Sequence, residues 1–79
     1  MYYVYAISSR VKNYTYVGFT NNLERRISEH NSGYNVSTKS YRPYKLIYVE
    51  AVETSKEARE REKFLKSGKG REFLKAFKS

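Results

Sequence analysis

The chain has 79 residues, 16 Lys and Arg against 8 acidic side chains, and no cysteine; that length makes one domain, 1–79, with room for one site. Without cysteine there is neither a disulfide framework nor a thiolate zinc site. Because all eight acids are glutamates and His30 is the one histidine, a Ser-His-Asp triad, an aspartic dyad and any two-histidine metal site are also excluded.

A net charge of +8 favours an anionic partner, nucleic acid being the commonest. The excess is spread along the chain and ends in a basic tail: from Lys66 onward there are five cations and one acid, Glu72.

The opening MYYVYAISS is apolar, has no basic leader and is too short to cross a bilayer. It reads as a strand, Tyr2–Ser8, of a soluble, cytoplasmic protein. The polar run Ser9–Asn13 is a hairpin connection to a second strand, Tyr14–Val17, expected to stop at Gly18. Asn21 or Asn22 can cap a helix that runs to about His30. Residues 31–42 are polar and read as a loop. After Pro43, the apolar run Tyr44–Ala51 is a third strand. Thr54 and Glu57 form a capping-box pattern that opens a helix to about Lys66. Gly68 and Gly70 are expected to break it, and Arg71–Phe77 makes a last short helix. The order β-β-α-β-α-α predicts an α+β fold: a small, mainly antiparallel three-stranded sheet flanked by helices.

Each long helix carries a charge where an apolar side chain is expected. In the first, Leu23, Ile27 and His30 share a face, and Arg26 falls on it. In the second, Ala58 and Leu65 define an apolar stripe, and Glu62 sits about 40° from Ala58, inside it. Glu57 and Glu60 point away. A charge on such a face is costly unless it is paired or faces a polar cleft. One reading is a buried Arg26–Glu62 ion pair; the other is a reactive site. The nine tyrosines exceed what a small core needs, although Tyr is also a favoured strand residue.

Tyr3-Val4-Tyr5, then Tyr16-Val17-Gly18 eleven residues on, then Arg26, His30 and Glu62, resemble the GIY-YIG nuclease superfamily. The stretches YVGFTNNLERRISEHN and EAREREKFLKSGKGREFLK are similar to its small stand-alone members, which resemble excision-repair nucleases. Tyr3 and Val4 replace the glycine and isoleucine of the first tripeptide. No asparagine stands near the end of the chain, where the family often has one. The resemblance implies a metal-dependent DNA endonuclease of low sequence specificity, with a place in DNA repair or processing.

The roles that follow are those the resemblance implies. Glu62 would hold a single Mg²⁺ or Mn²⁺, since such ions often take one or two carboxylates and complete their shell with water and phosphate. Arg26 would contact non-bridging oxygens of the scissile phosphate, which its planar fork fits. Tyr5 or Tyr16 would position or deprotonate the attacking water; a phenol, with a reference pKa of about 10, needs a nearby cation to do so. His30 would carry a second proton or support the phenols. Gly18 would leave room for backbone or substrate. The loop Ser37–Arg42, with Lys39 and Arg42, and the stretch Lys66–Arg71, with Lys66, Lys69 and Arg71, would hold DNA phosphates without reading sequence. Specificity would then be for DNA structure, or come from a protein partner. The alternative is a catalytically weak nucleic-acid-binding module on the same fold.

Overall fold

Alternation along Tyr2–Ser9 (β1) sends Tyr3, Tyr5 and Ile7 to one face of the sheet and Val4 and Ala6 to the other. The computed structural model, which describes residues 1–34 and 38–78, builds everything else around this strand. Thr15–Thr20 (β2) and Tyr44–Val52 (β3) pair with it on either side, both antiparallel, in the order β2-β1-β3. The central strand is the most buried, with Val4, Ala6 and Ile7 at 0% exposure.

Gly18 does not end the second strand. It lies within β2, directly opposite Tyr5, and pairing continues to Thr20. The strand survives the glycine because Val17 and Phe19 on either side pack into the core. In β3 the register slips between the partners of Ala6 and Ile7, so that Ile47 is an extra residue. This bulge puts both Leu46 and Val49 on the face that carries Ile7 and Tyr5.

Asn22 starts the helix Leu23–Asn31 (α1), accepting a hydrogen bond from the Arg25 N–H through its side chain. Leu23 and Ile27 seat α1 against Tyr5, Ile7 and Tyr44, the smaller of two apolar clusters. On the way to β3 the chain makes a 3-10 turn, Lys39–Tyr41, inside the stretch expected to be irregular.

The opposite face carries the larger cluster. Ala58 and Leu65 of Ser55–Lys66 (α2) and Leu74 of Gly68–Lys75 (α3) close over Val4, Ala6 and Val17. The capping box at Thr54 and Glu57 forms as its spacing predicts, with each residue satisfying a backbone N–H of the other.

The break between the last two helices falls at Ser67, not at the glycines, which belong to α3. Ser67 ends α2 and also caps α3, its Oγ donating to the Phe64 carbonyl and accepting from the Gly70 N–H. Gly70 is buried against the backbone of Phe64 and Leu65, so close that a Cβ there would collide with it. The glycine is needed for contact between helices, which is why it sits inside one.

Candidate active site

The hairpin places Tyr5 and Tyr16 on one face of the sheet, with Gly18 between their rings. A Cβ on Gly18 would lie 3.0 Å from the Tyr5 hydroxyl and 3.1 Å from Cε2 of Tyr16. The space left by the missing side chain is therefore taken by the two phenols. From α1, His30 enters the same space. Its ring centroid is 4.8 Å from that of Tyr16 and 5.9 Å from that of Tyr5.

His30 is fully buried and held at both nitrogens. Nε2 lies 2.9 Å from the Tyr5 hydroxyl and Nδ1 lies 2.9 Å from Oγ1 of Thr38. A neutral imidazole, one nitrogen donating and the other accepting, satisfies both contacts. Burial and the neighbouring Arg26 guanidinium push the His30 pKa below its ordinary value, with Glu29 acting weakly the other way. Thr38 anchors the arrangement further, since its carbonyl accepts from the buried Tyr44 hydroxyl at 2.9 Å.

The two phenols differ. Tyr5 is 1% exposed, and burial pushes its pKa up to about 12. Arg26 offsets part of that rise, while Tyr16 and Glu62 add to it. Tyr16 is only partly buried and opens on a groove at the edge of β2. Among the described residues no hydrogen bond engages its hydroxyl.

Arg26 on α1 and Glu62 on α2, helices that pack on opposite faces of the sheet, each act on Tyr5 through their charge. They do not form the ion pair that their inward positions allowed. The Arg26 Nη1 donates to Oε1 of Glu29 at 3.0 Å, and the Glu62 carboxylate meets Nζ of Lys66 at 3.3 Å. Each charge finds a partner on its own helix, three or four residues on, where side chains meet without spanning the sheet. Burial works against the Arg26 charge, but Glu29 and the two tyrosines outweigh it and raise its pKa.

Tyr5, Tyr16, His30 and Gly18 are thus brought together with Arg26 beside them, while Glu62, on the helix across the sheet, is tied to them here only through its charge acting on Tyr5. The cations expected to bind nucleic acid divide. Lys66 and Arg71, joined by Lys78, line a groove of about 440 Å³ that also contains Tyr14 and Tyr16. Lys69 is exposed on α3 and does not line it. Arg42 folds back, donating to the Lys39 carbonyl at 3.2 Å and lying against Gly33, whose φ of 80° suits a residue without a Cβ. Ser37, which opened the expected phosphate-holding loop, lies outside the described residues.

A larger concavity, of about 760 Å³, lies between α1 and β3 against Tyr3, Leu23, Ile27 and Leu46. Its one charged wall residue is Glu24, so it offers no cation to a phosphate.

Two metal chemistries can be weighed against the donors present. Among the described residues no group of three or more His and Glu side chains converges to cage an ion. Glu62 alone, with its side chain 22% exposed, fits a hard cation that takes one protein carboxylate and otherwise binds water and phosphate.

Thr38, Tyr44 and Lys78 were not singled out from sequence. Thr38 sits in a polar loop without periodicity, and only the fold carries it to His30. Tyr44 follows Pro43 at the start of a strand, where a packing role is the ordinary expectation.

Comparison with known proteins extends these observations. A model of the GIY-YIG catalytic domain matches residues 1–75. A UPF0213 protein of Clostridium perfringens is 42% identical over 67 residues, covering 84% of this chain and 71% of the relative. One from Syntrophus aciditrophicus is 40% identical over 78 residues, covering 96% and 88%. The solution structure of a UPF0213 protein from Bacillus halodurans superposes with a TM-score of 0.57 at 30% identity, over 99% of this chain and 86% of that one.

Proposed function

Because the chain belongs to the GIY-YIG catalytic domain family, we propose that it is a metal-dependent DNA endonuclease of low sequence specificity, acting in the cytoplasm in DNA repair or processing as the single domain 1–79. The observation that supports this reading is the cluster of Tyr5, Tyr16 and His30 around Gly18, with the Arg26 charge acting on it.

In this reading Tyr16 is the reactive phenol. Its ring reaches the groove, whereas the Tyr5 hydroxyl is buried and committed to His30. Tyr16 orients the attacking water and takes its proton. Arg26 sets its guanidinium against the non-bridging oxygens of the scissile phosphate, where charge is dispersed as the bond breaks. Tyr5 and His30 hold the Tyr16 ring in place. Glu62 would hold Mg²⁺ or Mn²⁺, which would supply stabilisation of the negative charge that develops as the phosphodiester is cleaved.

Glu62→Gln tests the proposal. The Glu62–Lys66 pair is partly exposed and lies at i,i+4, so its loss costs about 0.3–0.5 kcal/mol of stability. Hydrolysis of plasmid, single-stranded and branched DNA in Mg²⁺ or Mn²⁺ falls by orders of magnitude, while binding in chelator is kept or tightened. A wild-type protein that binds DNA and cuts none of these substrates in either metal would refute the nuclease reading and leave a binding module.

A further inference from the structure

One aromatic pair has no part in the catalytic arrangement. Tyr14 and Tyr41 stack with ring centroids 4.4 Å apart and planes 19° from parallel. Both are only partly buried. Tyr14 lies just before β2, in the same groove as Tyr16. This groove follows the open edge of the sheet, because β2 pairs on one side only. Its basic members come from the C-terminal part of the chain: Lys66, Arg71 and Lys78. The Arg71 Nε donates to the Lys66 carbonyl at 3.3 Å, which fixes that guanidinium at the rim. Tyr14 is backed by a second ring, so it is already braced against the loss of side-chain freedom that a stacked base imposes.

We propose that this groove binds DNA as a single, unpaired strand, with Tyr14, braced by Tyr41, as the stacking platform for a base next to the scissile phosphate. The proposal rests on the nuclease reading of the same site and names its substrate class. Three cations beside aromatic rings in one groove are the elements by which proteins grip unpaired strands: charge follows the backbone, and rings take the bases. In a duplex the faces of the bases are covered by their neighbours, so a tyrosine stack could contribute only after unstacking. Rings at this position add nothing to duplex binding and much to binding of a loop, flap or free strand. A structure preference would follow without any appended recognition domain.

The test uses fluorescence anisotropy in chelator, with three probes: a short single-stranded oligonucleotide, the same strand with its central bases replaced by abasic sites, and a blunt duplex. The single strand binds more tightly than its abasic counterpart by about 5- to 150-fold for each base stacked, and more tightly than the duplex. Tyr14→Leu, which keeps apolar bulk without a ring, collapses the ratio between base-bearing and abasic strands; Tyr14→Phe preserves it. Reversing charge at Lys66 and Arg71 weakens all three probes.

Equal binding of base-bearing and abasic strands by the wild type would overturn the proposal, as would a ratio unchanged in Tyr14→Leu or a duplex bound more tightly than the single strand. The wild-type comparison decides alone if Tyr14→Leu fails to fold. Cleavage separates this proposal from the reading beneath it. Cutting of duplex but not of single strands in Mg²⁺ overturns the substrate class and leaves the nuclease intact. Cutting of nothing overturns the nuclease, and the binding ratio still decides whether the groove holds unpaired DNA.

Discussion

Replacing Tyr5 by phenylalanine removes one oxygen from the centre of the molecule and leaves the ring in place. That oxygen lies 2.9 Å from His30 Nε2, between residues 1% and 0% exposed. Water cannot reach the abandoned nitrogen without opening the core, so the cost is that of an unsatisfied buried polar group, about 1–3 kcal/mol. In a domain of this size each kcal/mol lowers Tm by about 4–8 °C, so Tyr5→Phe melts well below wild type. Tyr16→Phe removes a hydroxyl that opens on the groove, and stability changes by no more than about 0.5 kcal/mol. DNA cleavage responds in the reverse order, with Tyr16→Phe losing about 10²- to 10⁴-fold in turnover, the worth of a positioned proton acceptor. Differential scanning calorimetry and single-turnover cleavage on the two variants provide the comparison. A Tyr5→Phe protein that melts with wild type yet no longer cuts would refute the assignment and make Tyr5 the reactive phenol.

Three further outcomes rest on side chains around the same site and strand. Gly18→Ala pushes a methyl to about van der Waals overlap with both phenols; the strand gains about 0.5–1 kcal/mol from losing a glycine, overpacking costs about 1–3, and thermal melts show net destabilisation with activity reduced more than stability. Thr15→Val removes Oγ1, a buried hydroxyl without a partner among the described residues, and raises stability by about 1 kcal/mol in urea titrations. His30 has a folded pKa below its unfolded value of about 6.5; the unfolded chain therefore binds the proton first, and stability is lost as pH falls from about 6.5 toward the folded pKa, with a slope of at most about 1.4 kcal/mol per pH unit. His30→Gln flattens that segment, and a slope that persists in the variant would assign it elsewhere.

The element order was legible because each segment carries its own period or cap: alternation in Tyr2–Ser9, Asn22 before α1, and Thr54 with Glu57 before α2. Glycine misled twice, for opposite reasons. Gly18 reads locally as a stop, but its neighbours Val17 and Phe19 are paid for in core contacts on the far face. Gly70 reads as a breaker, but its role depends on the Phe64 and Leu65 backbone, which no local pattern reveals. The inward positions of Arg26 and Glu62 were legible from helical phase. Their partners were not, because Glu29 and Lys66 lie one turn on and compete locally against any contact across the sheet. The division between a committed Tyr5 and an open Tyr16 turns on His30, whose other nitrogen is held by Thr38 from a loop with no periodicity.

The corner at Ser67 has a mechanical consequence. One residue closes α2 and opens α3, and Gly70 presses the second helix onto the backbone of the first. With a single residue at that joint, the two helices form a close-packed bracket. Glu62 stands on one arm and Arg71 on the other, so the spacing between the carboxylate and the cation is set by the bracket and not by the sheet. If an unpaired strand lies along the β2 edge as proposed, the ruler that measures its backbone belongs to the two helices and not to the strand beside it.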